Sequence, residues 1–290
     1  MRALPKHTLA FALLMAASRC FGAEVLIGPA GFAADPSTKQ IPAEVIKPEG
    51  PGPFPAVVIL HDCSGLGPRS SGAPKRWAGE LVSQGYVAIL PDSFSPRGHR
   101  DGICTVPPQQ RHPGVTPVHR ADDAYATLAY MRTLAYVDGN RVAVMGGSHG
   151  GASTLATMVA PQAKGKGFLA AVALYPACAM NMGGWRADLS GDYEPAGPVQ
   201  ILIGELDDWT PAENCRKLAE AAQKAARPVT IKVYPGAHHS FDSAYPERYV
   251  ASRVNPNAPG RRGATTGGQA VAWADSIREV VAFFDRYLGK

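Results

Sequence analysis

The feature that most constrains the fold is a series of six short apolar runs spread along the chain. Each run is bounded by Gly, Pro, Asp or Asn, and β-branched residues are frequent within it. The hydrophobicity is continuous rather than alternating, which is typical of strands buried on both faces of a parallel sheet. We therefore predict buried strands at residues 54–62, 85–92, 140–148, 168–176, 198–207 and 228–236.

Helical patterns fill the gaps between these runs. Apolar residues recur at helical spacing over 121–131, and strong helix formers occupy 212–226 after Pro211, a favourable first-turn residue. An apolar stripe follows at helical spacing from Trp273 to Leu288. The alternation predicts an α/β fold, with a mostly parallel sheet and helices on both faces. In such sheets ligands bind beyond the carboxyl ends of the strands.

The N-terminal segment is predicted to be separate from this fold. Residues 1–22 carry basic residues near the start, an apolar run over 9–17 and small residues after it, which is typical of a signal peptide. A membrane anchor is the alternative, but the apolar run is too short to span a bilayer. We expect cleavage after Gly22 or Ala23, an exported (periplasmic or secreted) protein, and one domain over 23–290.

The charge of the remaining chain excludes some classes of partner. The signal segment holds three of the 29 basic residues and none of the 24 acidic ones, so the mature chain is close to neutral. It has no cluster of Lys and Arg, so we expect no nucleic-acid partner, and no membrane contact once the signal is removed.

One segment lacks any clear periodicity. Residues 242–268 are rich in Pro, Gly, Arg and Asn, which predicts a long surface loop. Long loops in compact domains are often functional or disordered, and the sequence leaves the role of this one open.

A glycine-rich motif follows the third predicted strand. Residues 146–150, GGSHG, match G-x-S-x-G and precede a helix-compatible stretch, which is the context of a nucleophile elbow. A phosphate-binding loop would require a lysine that is missing here. A tight turn with an idle serine is the remaining alternative, and the motif alone does not decide between the two.

A base and an acid follow two other predicted strands. Asp207 and Asp208 come at the end of one strand, and His238 and His239 come after the next. Ser148 lies at the same edge of the predicted sheet. The order Ser, Asp, His along the chain is that of the α/β-hydrolases, so we predict a catalytic triad.

With these motifs, the chain resembles the dienelactone hydrolase branch of the α/β-hydrolases from about residue 40 to the end. The resemblance is carried by VVILHDCSGL, DSFSPRG, GGSHGG, GELDDWTP and GAHHSF. It implies Asp207 as the acid, because a glycine precedes it by three residues, and His239 as the base, because Ser-Phe follows it. The best-known members carry a cysteine nucleophile, whereas Ser148 depends on a base for activation. The broader expectation is a carboxylester hydrolase.

The resemblance also implies an oxyanion hole. One backbone N–H belongs to the residue after the nucleophile, His149, and the other belongs to Cys63 in the loop after the first predicted strand. His149 is expected to contribute its amide rather than its imidazole. His61 is either a substrate-side group or a structural histidine, and we favour the structural role.

Cysteine usage fits an exported protein. Cys20 leaves with the signal peptide, and the four cysteines that remain allow three pairings of two disulfides. Cys63 and Cys104 lie in loops near the predicted site, and Cys178 and Cys215 follow the next pair of strands. We therefore predict bridges 63–104 and 178–215, against the alternative of buried free thiols. The spacing matches no zinc motif, so no metal or other cofactor is expected.

The substrate-binding residues are less well defined by the sequence. Arg97 would suit a substrate carboxylate or would hold its own loop. Trp185 and Trp209 would line an apolar pocket or be packed in the core.

The predicted function is hydrolysis of a small ester or lactone by a serine nucleophile, through an acyl-enzyme. The alternatives are a serine peptidase or acyl transferase on the same fold, or a catalytically silent exported binding protein. The sequence does not define the natural substrate or the oligomeric state.

Overall fold

The structure is a computed structural model that describes residues 21–28, 40–159, 165, 167–179, 181–182, 185–186 and 193–290. Most of the predicted signal peptide lies outside these residues. The predicted cleavage point falls within the first described strand, so the export prediction stays a prediction.

Twelve strands are present among the described residues. In chain order they are β1 (Phe21–Ile27), β2 (Ile41–Lys47), β3 (Phe54–Leu60), β4 (Val87–Pro91), β5 (Val137–Gly147), β6 (Ala171–Leu174), β7 (Asn181–Met182), β8 (Trp185–Arg186), β9 (Val199–Gly204), β10 (Val229–Tyr234), β11 (Arg248–Val254) and β12 (Arg262–Thr266).

Eight of these strands form the central sheet, in the order β1-β2-β4-β3-β5-β6-β9-β10. From β4 to β10 every neighbouring pair is parallel, whereas β2 pairs antiparallel with β1 and β4. The six predicted strands are confirmed, and they form the parallel part. Strands β3, β4, β6 and β9 are buried almost throughout, as their continuous apolar sequences predict.

The first two strands were missed because their sequences do not form continuous apolar runs. In β2 the buried residues Ile41, Ala43 and Val45 alternate with Pro42, which is exposed, and Glu44, which is half-buried. Such alternation is ordinary in a strand with one solvated face, but it is a weak signal over a short segment.

Five α-helices accompany the sheet in the described chain: α1 (Ala73–Ser83), α2 (Pro117–Met131), α3 (His149–Val159), α4 (Ala212–Lys224) and α5 (Ala270–Leu288). The rings of Trp77 in α1 and Trp273 in α5 are 4.8 Å apart. Tyr125 of α2 donates a hydrogen bond to the Thr157 carbonyl of α3 at 3.1 Å. The helices therefore form separate groups, as expected for a sheet covered on both faces.

The prediction of an irregular loop over 242–268 is wrong in part, because β11 and β12 pair there as an antiparallel hairpin. Most side chains of β11 are exposed or half-buried, so the strand lacks the apolar pattern by which buried strands are recognised. We refer to residues 248–266 as the β11–β12 hairpin.

Among the residues that the structure describes, none of the helices has the length and apolar character needed to cross a bilayer.

Candidate active site

Three parallel strands deliver the predicted triad residues to one edge of the sheet. Ser148 follows β5, Asp207 follows β9, and His239 follows β10. Ser148 Oγ lies 2.8 Å from His239 Nε2, and His239 Nδ1 lies 2.8 Å from Asp207 Oδ2. All three side chains are buried. The structure therefore brings the three residues into one continuous hydrogen-bonded chain.

The turn that carries Ser148 requires its glycines. Ser148 has a φ of +54°, a backbone conformation that residues with a side chain rarely adopt. A Cβ on Gly150 would lie 1.9 Å from the carbonyl oxygen of Leu60 in β3. A Cβ on Gly146 would lie 2.6 Å from backbone atoms of Gly150 and Leu60. The elbow thus packs backbone against backbone, which explains the G-x-S-x-G sequence.

Asp207 is held by the turn that follows it. Its Oδ1 accepts hydrogen bonds from the backbone N–H groups of Trp209 at 3.0 Å and Thr210 at 2.7 Å. Its Oδ2 accepts from the Thr210 hydroxyl at 2.9 Å as well as from His239. Donors on both oxygens fix the carboxylate so that one oxygen faces the imidazole.

Thr210 is a site residue that the sequence analysis missed. Its Oγ1 lies 3.0 Å from His239 Nδ1 and 3.1 Å from the carbonyl oxygen of Tyr175. An Asp side chain at a turn accepts from the backbone N–H groups that follow it, and here that turn places the Thr210 hydroxyl beside the acid. That spacing in DDWT is the signal that would have indicated it.

Aromatic rings bury the imidazole of His239. The ring of Tyr175 lies 4.7 Å away and that of Trp209 lies 4.8 Å away. Tyr175 donates to Asp242 Oδ1 at 2.7 Å, and the indole of Trp77 donates to Asp242 Oδ2 at 2.8 Å. Burial raises the pKa of Asp242 to about 6. This buried network, which the sequence did not reveal, fixes the loop that carries His239.

A cavity of about 840 Å³ opens beside Ser148. Its wall includes prolines and both cysteines of one disulfide, together with the cationic side chains of Arg111, Arg261 and Arg262. None of the described residues that line the cavity is an Asp or a Glu. The β11–β12 hairpin supplies part of the wall, including Val254 and Arg262.

A smaller cavity of about 90 Å³ borders Ser148 and His239 on another side. The two cavities share Cys63, Cys104, Ser148 and Trp209 in their walls. The serine hydroxyl therefore lies between two spaces of different size.

The two residues predicted to form the oxyanion hole both line the larger cavity with Ser148. His149 is the first residue of α3, so its backbone N–H has no acceptor within the helix. Cys63 lies in the loop after β3, and its carbonyl accepts from Ile103 N at 2.7 Å. Both residues thus border the same cavity as Ser148, and their role in an oxyanion hole stays a prediction.

The structure contains both predicted disulfides, Cys63–Cys104 and Cys178–Cys215, each with 5.0 Å between Cα atoms. The first joins the loop after β3 to a segment that borders both cavities. The second joins a loop after β6 to helix α4.

His61 has the structural role that the sequence analysis favoured. It is fully buried, its Nδ1 donates to the carbonyl of Asp62 at 2.8 Å, and its Nε2 accepts from Ser93 N at 3.3 Å. Burial lowers the pKa of His61 to about 3, so the ring is neutral.

The suggested contact of Arg97 with substrate does not agree with the structure. The guanidinium is buried and makes a two-point ion pair with Asp123, at 2.7 and 2.9 Å. It also donates to the Ser93 carbonyl at 2.8 Å. Arg97 therefore holds its own loop, because both terminal nitrogens of the guanidinium donate within the protein.

The predictions for Trp209 and Trp185 have different outcomes. Trp209 lines both cavities, and its indole donates to the Val254 carbonyl at 2.9 Å, which ties the β11–β12 hairpin to the site. Trp185 belongs to β8, but its side chain lies outside the described residues. Its predicted role stays a prediction.

The neighbours of the acid and the base also have structural roles. Asp208 accepts from Thr265 N at 2.9 Å and from its hydroxyl at 2.9 Å, and so anchors the hairpin. His238 pairs with Glu247 at 2.7 Å.

A mostly parallel eight-stranded sheet, with a serine on a tight, glycine-flanked turn after β5, defines an α/β-hydrolase fold. Comparison with known proteins gives the family. The chain belongs to the dienelactone hydrolase family, whose model matches residues 41–288. It is therefore a hydrolase of carboxylic esters or lactones.

Individual relatives agree with this assignment. A protein of Escherichia coli O157:H7 that carries the name carboxymethylenebutenolidase is 28% identical over 233 residues, covering 77% of this chain and 81% of that protein. A crystal structure titled as a dienelactone hydrolase from Klebsiella pneumoniae has a TM-score of 0.67 at 19% identity, covering 93% of this chain and 100% of that one. Thermogutta terrifontis esterase 2 has a TM-score of 0.62 at 18% identity, covering 96% and 97%. These two structures show the shared fold.

Proposed function

We propose that this chain hydrolyses the ester or lactone bond of a small molecule with Ser148 as nucleophile, through an acyl-enzyme. The observation that carries the proposal is the unbroken hydrogen-bonded chain from Ser148 through His239 to Asp207, with Ser148 at the wall of the 840 Å³ cavity. Family membership supports the reaction class.

The proposed mechanism uses groups that the chain already holds in place. His239 Nε2 takes the proton of the Ser148 hydroxyl as Oγ attacks the substrate carbonyl, while Asp207 stabilises the imidazolium that forms. The amides of Cys63 and His149 donate to the developing oxyanion. His239 then protonates the leaving alcohol. A water molecule, activated by the same base, releases the acid and restores Ser148.

The two cavities suit the two halves of an ester. An attacked carbonyl carries an acyl group on one side and a leaving group on the other, so both need room beside Ser148. The larger space, walled by prolines and three arginines, suits an apolar group that carries a negative charge. The smaller space of about 90 Å³ suits a compact group.

Two observations count against the alternative functions. A silent binding protein has no use for a buried serine, histidine and aspartate aligned at 2.8 Å. An exopeptidase that binds a substrate amine uses carboxylates for it, and none is found among the described residues that line the larger cavity. In the smaller cavity Asp62 is buried and already accepts from Ser64 N at 2.6 Å. Ester or lactone hydrolysis therefore remains the better supported function.

The test compares the wild type with Ser148→Ala on p-nitrophenyl butyrate. We expect kcat/KM to fall by about four to six orders of magnitude in the variant, as when a triad nucleophile is removed. Ser153→Ala is the matched control, since Ser153 is a buried serine of α3 whose hydroxyl donates to a helix carbonyl at 2.8 Å. It should keep most of the activity. A fluorophosphonate probe should label Ser148 in the wild type and in the control only.

Equal activity in the wild type and Ser148→Ala would refute the proposal. Hydrolysis of a panel of peptides in preference to esters would replace it with the peptidase function.

We further propose that the protein is exported, because two disulfides are characteristic of oxidising compartments. Expression of the full chain in a bacterial host, followed by sequencing of the N terminus in the periplasmic fraction, tests this. The expected first residue is Ala23 or Glu24. An uncleaved protein confined to the cytoplasm would contradict the proposal.

A further inference from the structure

A buried arginine contacts the imidazole of the residue that follows the nucleophile. Arg120 of α2 is fully buried, and its guanidinium nitrogen lies 2.8 Å from Nδ1 of His149. The other terminal nitrogen donates to the His61 carbonyl at 2.8 Å. The guanidinium also lies 5.0 Å from the centre of the Phe94 ring. Arg120 is therefore held from several directions, and so is the imidazole that it contacts.

This contact determines which nitrogen of His149 carries the proton. Arginine only donates hydrogen bonds, so Nδ1 must accept and has no hydrogen of its own. In the neutral ring the hydrogen then resides on Nε2. The tautomer is fixed by a neighbour rather than by solvent.

The same surroundings keep the ring neutral. Burial lowers the pKa of Arg120 only to about 10, so the guanidinium is charged at neutral pH. Burial and this charge hold the pKa of His149 well below its ordinary value, and Arg111 and His61 act in the same direction. Together with the contact from Arg120 to Nδ1, this favours the neutral form of the His149 ring.

Arg120 occupies the Nδ1 edge of the ring, which leaves the Nε2 edge for the substrate space. Arg120, on the Nδ1 side, is fully buried, whereas the His149 residue is half-buried and contributes to the wall of the 840 Å³ cavity beside Ser148. The ring packs edge-on against Phe94, with 5.5 Å between centres. Within the described part of the chain, Nε2 has no hydrogen-bond acceptor. A fixed N–H donor thus remains unused at the cavity wall.

We propose that the imidazole of His149 is a specificity-determining group that donates a hydrogen bond from Nε2 to an acceptor oxygen in the acyl part of the substrate. Arg120 is the positioning residue that keeps this donor in one tautomer. The inference rests on the proposed function, because it assumes that the substrate is bound for attack by Ser148. It adds a second role to a residue whose backbone amide is already assigned to the oxyanion hole.

The test uses pairs of p-nitrophenyl esters that differ by one oxygen in place of a methylene group. The pairs are methoxyacetate with butanoate, and 3-methoxypropanoate with pentanoate. The variants are His149→Phe, which keeps a ring without a donor, and His149→Gln, whose amide supplies a donor at nearly the same reach. Both keep the backbone N–H of residue 149.

The readout is the ratio of kcat/KM for the oxygen-containing ester to that for its hydrocarbon partner. This ratio cancels losses common to both substrates, including any change in the oxyanion hole. We expect it to fall about five- to tenfold in His149→Phe for at least one pair, as for loss of one neutral hydrogen bond. The ratio should recover most of its value in His149→Gln.

Two results would overturn the inference. One is an unchanged ratio in His149→Phe for both pairs; an equal loss on every ester is the case of this result that would indicate a structural role. The other is a ratio that falls in His149→Phe and falls as far in His149→Gln, which would show that the donor is not what the ratio reports. Labelling by a fluorophosphonate separates this failure from failure of the proposed function. If Ser148 of the wild type is not labelled, the proposed function itself is wrong.

A second measurement does not require the variants to fold. Protein labelled with ¹⁵N at histidine reports the tautomer and charge of each ring in a long-range ¹H–¹⁵N spectrum. The His149 ring should carry its hydrogen on Nε2 and remain neutral between pH 5 and pH 8. A ring protonated on Nδ1, or one that titrates in this range, would overturn the inference.

Discussion

The two disulfides offer a matched pair of perturbations in one molecule. Cys63–Cys104 closes a loop of 41 residues, and Cys178–Cys215 closes a loop of 37 residues. We consider the double variants Cys63→Ala/Cys104→Ala and Cys178→Ala/Cys215→Ala. They should be alike in stability and different in catalysis.

The expected stability loss follows from the size of the closed loops. A crosslink restricts the unfolded chain by an entropy that grows with the logarithm of loop length, which gives about 4 kcal/mol for each of these bridges. The two loop lengths differ too little to separate the variants. Each should therefore lose a similar share of its free energy of unfolding.

The expected catalytic loss differs because only one bridge holds a proposed oxyanion donor. Losing such a donor entirely lowers kcat by about 10² to 10³. The loop of Cys63 keeps other contacts, including the bond from Ile103 N to the Cys63 carbonyl and that from Ser64 N to Asp62. We therefore expect about a tenfold fall in kcat for Cys63→Ala/Cys104→Ala, and a fall of less than about threefold for the other variant.

Both quantities are measured without reductant. Urea unfolding followed by tryptophan fluorescence gives the free energy of unfolding. Hydrolysis of p-nitrophenyl butyrate, at a temperature where both variants are fully folded, gives kcat. Equal kcat values in the two variants, or a lower value without the 178–215 bridge, would refute the assignment of Cys63 to the oxyanion hole.

Two further predictions concern the elbow and the buried ion pair. Gly150→Ala should prevent folding or lower the free energy of unfolding by more than about 4 kcal/mol, because its Cβ would lie 1.9 Å from the Leu60 carbonyl oxygen. The control is Gly79→Ala, at an exposed position of α1 with open space around it. Thermal unfolding should show that this control stabilises the protein by up to about 1 kcal/mol. A Gly150→Ala protein of normal stability would contradict the backbone packing described for the elbow. Arg97→Met should cost about 3 to 5 kcal/mol by leaving Asp123 buried and unpaired, and adding Asp123→Leu should recover part of that loss. If Arg97→Met instead raised KM for an anionic ester at unchanged stability, the substrate role of Arg97 would be restored.

The parallel core was predictable because its signal is local. A strand buried on both faces needs only apolar residues, and each run in the sequence records that requirement by itself. The strands β1, β2, β11 and β12 have exposed faces, and their pairing depends on partners distant in the chain. Helix α1 was also missed, although Trp77, Ala78, Leu81 and Val82 form its buried face. The basic and small residues of α1 leave few large apolar side chains, so the helical periodicity of its sequence is weak.

The meeting of Ser148, Asp207 and His239 was predictable for a different reason. Parallel strands bring their carboxyl ends to one edge, so residues placed there by the sequence must meet, whatever lies between them. The residues around the triad are not constrained in this way. Tyr175 and Asp242 become site residues only through a buried network that no sequence spacing records. For Thr210 the spacing in DDWT is the one available signal. Arg97 is the opposite case. Its place in the sequence suggested a substrate contact, but the folded chain pairs its guanidinium with Asp123.

The β11–β12 hairpin connects the wall of the larger cavity to the turn that carries Asp207. Asn255 is fully buried and donates to the Asp208 carbonyl at 3.0 Å, while Asp208 itself accepts from Thr265. Trp209, next along the same turn, donates to the hairpin at Val254 and packs on His239. The turn that orients Asp207 therefore also anchors the hairpin that walls the larger cavity. Because these anchors are mostly backbone groups and buried side chains, the exposed hairpin residues can differ without moving the acid. The chemistry of the cavity wall can thus change independently of the hydrogen-bonded arrangement of Ser148, His239 and Asp207.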